Sequence, residues 1–83
     1  MPEITRFYGI IIKMFFKNEH NPPHFHAIYG EYNGVFEIKT LEMIEGDLPN
    51  RAQELVIEWA SMYKDELQKM WETKTLKKLE PLK

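Results

Sequence analysis

The chain has 83 residues, a net charge of −2, no cysteine and 43% hydrophobic residues, which together describe one domain spanning 1–83 with no disulfide to staple it. Its apolar runs, such as Ile10-Ile11-Ile12, are no longer than three residues, which excludes a membrane-spanning helix, and with no leader-like opening the expected compartment is the cytoplasm. Lys74, Lys77, Lys78 and Lys83 stand against Glu80 alone in the last ten residues, which leaves the body acidic. That balance weighs against nucleic acid as the favoured partner, since phosphate neutralisation needs a basic face.

Five Phe, four Tyr and two Trp make up for the short chain. A domain of this size buries only about 60–65% of the surface that its unfolded chain exposes. An aromatic-rich chain of this length is expected to complete its core by association, as a homodimer or with a dedicated small partner.

In chain order, Arg6 to Phe16 is rich in β-branched and aromatic residues and predicts a central strand with apolar residues on both faces. Gly9 inside it suggests a bulge or a close backbone approach. Polar residues 17–21 make a turn, closed by Pro22-Pro23. His24 to Tyr29 predicts a second strand, and Asn33-Gly34 the hairpin turn into a third, Val35 to Lys39. Met43 to Glu45 is a short fourth strand. Asp47 is the expected N-cap of a helix from about Pro49 to Trp71. Along it Ala52, Leu55, Val56, Trp59, Ala60, Tyr63, Leu67, Met70 and Trp71 form one apolar stripe. Residues 74–83 are an extended tail, read as a short edge strand or an arm onto a neighbour. The fold class is therefore α+β: a small antiparallel sheet of about four strands within residues 4–46, with one long C-terminal helix across one face.

The segment His20-Asn21-Pro22-Pro23-His24-Phe25-His26 holds all three histidines of the chain. On a strand, His24 and His26 point to one face and Phe25 to the other. The two prolines fix φ and remove backbone donors, which makes a rigid corner that could return His20 toward the pair.

This string, with Met1-Pro2-Glu3-Ile4, Arg6 to Ile10, Ala27, Glu45-Gly46-Asp47-Leu48-Pro49, Glu58-Trp59-Ala60 and Leu79-Glu80-Pro81-Leu82, closely resembles a bacterial family known as domain of unknown function 4160. One departure is Leu41, where many members carry glycine. The resemblance implies half of a two-gene cassette in the manner of toxin–antitoxin modules, and so a cognate small protein encoded by an adjacent gene.

Three readings of the histidines stay open. In the first, His20, His24 and His26 hold a divalent ion, zinc or nickel, with Glu37 or Glu31 as a carboxylate ligand. No cysteine and no His-Glu-x-x-His helix accompanies them. In the second, two histidines among His20, His24 and His26 trade a proton as acid–base catalysts on RNA or a phosphoester, with Lys13 or Arg6 stabilising the phosphoryl group. In the third, which leads, the segment specifies a turn; its rings satisfy backbone carbonyls or line a partner-binding surface with Tyr29, Tyr32 and Phe36.

Overall fold

Tyr8 and Gly9 both adopt positive φ, 49° and 81°, and this decides how the fold begins. In the computed structural model, which describes residues 2–16 and 22–83, the run expected as one strand is a hairpin of β1 (Glu3–Phe7) and β2 (Ile10–Lys13). Phe7 lies opposite Ile10 across a two-residue loop. Positive φ at both loop residues is the type I′ turn, whose twist suits the flanking strands. Gly9 is thus a turn residue and not a bulge, and the sheet gains a fifth strand.

The second hairpin also turns elsewhere than Asn33-Gly34. β3 (His24–Tyr29) and β4 (Tyr32–Glu37) pair from Tyr29–Tyr32 inward, so Gly30-Glu31 is the loop. Gly30 takes φ 59°, the arrangement of a II′ turn with glycine first. Asn33 and Gly34 lie inside β4. Side chains approach closely at Gly34: a Cβ on it would stand 2.8 Å from the Met43 sulfur and 3.2 Å from the Phe36 ring, so the methionine would have to move. Asn33-Gly34 has the letters of a turn and the position of a strand.

β5 (Met43–Gly46) completes a five-stranded antiparallel sheet in simple order, β1-β2-β3-β4-β5. Asp47 does not cap the helix. Its carboxylate accepts a hydrogen bond from the Asn33 N–H at 3.2 Å and its own N–H donates to the Asn33 carbonyl at 2.9 Å, tying the end of β5 to β4.

Two helices follow in place of one: α1 (Asn50–Met62) and α2 (Lys64–Thr73). The break is at Tyr63, φ −121° and ψ 19°, whose N–H bonds back to Ala60 at 3.1 Å. That bond reaches three residues back, where an α-helix reaches four. The Tyr63 ring stays packed 5.5 Å from Trp59, so the apolar stripe continues across the break through Leu67, Met70 and Trp71, all buried. No glycine or proline announces it.

Alternation puts Ile10, Ile12, Met14, Phe25, Ala27, Phe36 and Ile38 on the sheet face that the helices cover. Trp59, fully buried, is the hub of this core, with Phe7 at 5.8 Å and Phe25 at 6.1 Å. Its indole N–H donates to the Glu80 carbonyl at 2.8 Å. The tail therefore packs on its own chain, without becoming a strand: Leu79 donates to Ile4 beside β1, and Leu82 is buried in the core.

Candidate functional site: the histidine face of the sheet

Register fixes what the other face carries. One cross-strand row runs through all five strands: Glu3, Lys13, His26, Val35 and Glu45. The adjacent row is Arg6, Ile11, Ile28 and Asn33. Ile11, Lys13, His26, Ile28 and Val35 are all partly exposed, and no helix among the described residues packs on them. Phe15, just beyond β2, brings its ring edge-on to His26 at 5.0 Å.

His24 begins β3 beside this face. The diproline corner sets its position through two carbonyls, since Pro23 accepts from the Ile38 N–H at 2.9 Å and Pro22 from Nδ1 of His24 at 2.8 Å. A carbonyl only accepts, so Nδ1 donates in this bond, and in the neutral ring Nε2 keeps the lone pair. His24 is 7% exposed, and its ring meets Trp71 of α2 at a tilt, with centroids 5.0 Å apart. Trp71 in turn meets Phe16 at 6.3 Å and lies under the Lys74 ammonium, 4.8 Å from its centroid. A continuous line of rings results: Phe16, Trp71, His24, His26, Phe15.

His26 is the more open of the two, with its centroid 5.4 Å from that of His24. Partial burial pulls its pKa below the ordinary histidine value, and the like charge on His24 acts in the same direction, while Glu45 opposes both. The ring is accordingly neutral near pH 7.

The expected site residues divide clearly. The fold brings together His24, His26 and Lys13, the last directly across from His26. Arg6 is engaged elsewhere: its guanidinium holds Glu3 at 2.6 and 2.8 Å, and these bonds lower the Glu3 carboxyl's pKa. Glu37 lies opposite His24 and accepts from the Thr40 hydroxyl at 3.3 Å. Glu31 sits in the β3–β4 turn, at the far end of the strands from His24. His20 lies outside the described residues. Among those described, no three His, Asp or Glu side chains gather as a metal-holding group.

Tyr29 and Tyr32 are exposed at 40% and 45%, close to the same turn. Phe36 is a correction: fully buried and stacked 5.5 Å from Phe25, it is core and offers nothing to a partner. The parity of β4 explains this, since Phe36 follows Val35 and so points to the opposite face. Sequence reading missed Trp71 as a wall of the site and Phe15 as its neighbour. The helical stripe marked Trp71 only as core, which it also is.

No helix of the described residues is long and apolar enough to cross a membrane. No curated protein and no solved structure matches the chain. One family does, over residues 9–72, a span that includes β2 to β5 and nearly all of both helices. The chain thus belongs to the family described as Domain of unknown function (DUF4160).

Proposed function

We propose that the chain is a partner-binding module and that its contact surface is the part of the outer sheet face that α2 leaves uncovered, centred on His26. The observation that carries this is the cross-strand row Glu3, Lys13, His26, Val35 and Glu45, flanked by Ile11, Ile28 and Phe15. Apolar groups lie at its middle and charges at its ends, the usual layout of a protein–protein contact. Carboxylates at both ends of the row favour a protein over a phosphate backbone. The partner is a cognate small protein from an adjacent gene, in a toxin–antitoxin-like or regulatory pair. The test is co-expression with the neighbouring gene product: wild type co-purifies with it, while Val35→Arg, which places a charge in the middle of the face, abolishes the complex and keeps the fold. Self-association that Val35→Arg disrupts, with no heteromeric complex, would assign the face to a homodimer instead.

A second reading, a metal- or histidine-dependent enzyme acting on RNA or a phosphoester, draws on one observation, Lys13 beside His26. A cation next to an imidazole with a free lone pair suits phosphoryl chemistry. The pairing of Arg6 with Glu3 removes the other expected cation. RNA or phosphodiester cleavage by wild type that is lost in both His26→Ala and Lys13→Ala would favour the enzyme.

A further inference from the structure

We propose that His24 and His26 together bind a divalent transition-metal ion of the zinc or nickel class, as a two-imidazole site on the β3 strand. This stands apart from the partner reading and does not need it.

Four features of the pair converge. The residues are two apart on one strand, so both rings rise from the same face. Their centroids are 5.4 Å apart. A metal bound by both imidazoles at about 2.0–2.1 Å, with a near-tetrahedral angle, would set the centroids about 5 Å apart. The rings therefore stand at chelating separation before any ion arrives. Next, His24 has the outer hydrogen bond typical of a histidine ligand, Nδ1–H to a backbone carbonyl, here Pro22 at 2.8 Å. That bond fixes the ring's tautomer and orientation and leaves Nε2 as the donor atom.

The third feature is accessibility. No buried side-chain nitrogen or oxygen among the described residues lacks a hydrogen-bond partner. Among the described residues no hydrogen bond engages His24 Nε2 or either nitrogen of His26, and His26 is partly exposed. The fourth is a firm wall: Trp71 packs against His24 at 5.0 Å and Phe15 meets His26 edge-on at 5.0 Å, and this packing restricts the rotamers of both rings. Preorganisation of this kind lowers the ordering cost of binding. Two neutral nitrogens suit zinc and nickel and not magnesium or calcium, which prefer oxygen. With two protein donors, the remaining positions go to water or to a donor from a bound protein.

The test uses the untagged full chain titrated with ZnCl2, followed by calorimetry and by histidine side-chain NMR. Saturation at one ion per chain is expected, with the imidazole signals of His24 and His26 shifting together and MgCl2 producing no shift. His26→Gln is expected to weaken zinc binding by about tenfold or more and to keep the wild-type circular dichroism spectrum. His24→Gln is a second variant, read only after its fold is checked, because the ring packs against Trp71. Zinc binding equally tight in His26→Gln, equal shifts with magnesium, or no saturation would overturn the site.

Discussion

The Trp71 ring lies 5.0 Å from the His24 ring at an interplanar angle of 53°, so the end of α2 closes over one histidine of the pair and leaves the other toward solvent. One side chain thereby belongs to the core and to the site. Trp71→Ala is expected to cost about 3–5 kcal/mol, the usual range for truncating a buried aromatic ring, and to expose His24. His26→Ala, at a partly exposed position, should change stability by no more than about 0.5 kcal/mol. Urea unfolding of the two variants against wild type measures the contrast.

Stability should fall on mild acidification, and His26 sets the direction. Its pKa is held below the ordinary value by burial and by His24, so at a pH between the folded and unfolded values the unfolded chain binds more protons. By linkage, stability then rises with pH in that window and is lost as pH falls from the unfolded value, about 6.5, through the lower folded one. Melting temperatures between about pH 7.5 and 5 should decline in wild type and decline less in His26→Gln. Side-chain NMR should show His26 titrating below the ordinary histidine midpoint.

The C-terminal tail is expected to be part of the fold. Ending the chain after Leu79 removes Leu82, buried at 8% exposure, and the Glu80 carbonyl that accepts from Trp59. Losing a buried leucine side chain costs about 1.5–3 kcal/mol, and orphaning the indole N–H costs about 1–3 more. Thermal unfolding of the truncated chain should show a destabilisation of at least about 2 kcal/mol.

Tyr8→Asn should stabilise the protein. Tyr8 is 59% exposed and sits at φ 49° in a two-residue turn before Gly9. Asn-Gly is the favoured pair for that turn, and asparagine tolerates the left-handed region that tyrosine resists. A gain of up to about 1 kcal/mol is expected by denaturant titration.

The residues reveal the fold unevenly. Periodicity identified the helical stripe and the strand faces, because burial imposes a repeat that composition displays. Tyr63 carries no such mark: a helix can break by a single bond reaching three residues back, with an apolar side chain still on the stripe. Glycines were ambiguous for a related reason. Gly9 serves a turn and Gly34 a close contact, and these demands leave the same letter. Leu41 shows the converse. It is a leucine at φ 62°, in the left-handed region where glycine would be expected, and it is partly buried against the core.

The site was legible as far as one strand's alternation reaches. His24 and His26 on a common face follow from their spacing alone, and so does the separation of Phe25 from them. Lys13 opposite His26 depends on the register between β2 and β3, which the alternation within one strand does not supply. The Pro22 carbonyl as partner of His24 depends on the corner's geometry. Neither could be read before the chain was folded.

The most direct measurement is methyl NMR of the chain with and without the co-expressed neighbouring protein. The account predicts that Ile11, Ile28 and Val35 shift on complex formation, while Ile57, exposed on α1, does not. Shifts confined to Ile57 and other residues on the outer side of the helices would contradict it, as would the absence of any complex.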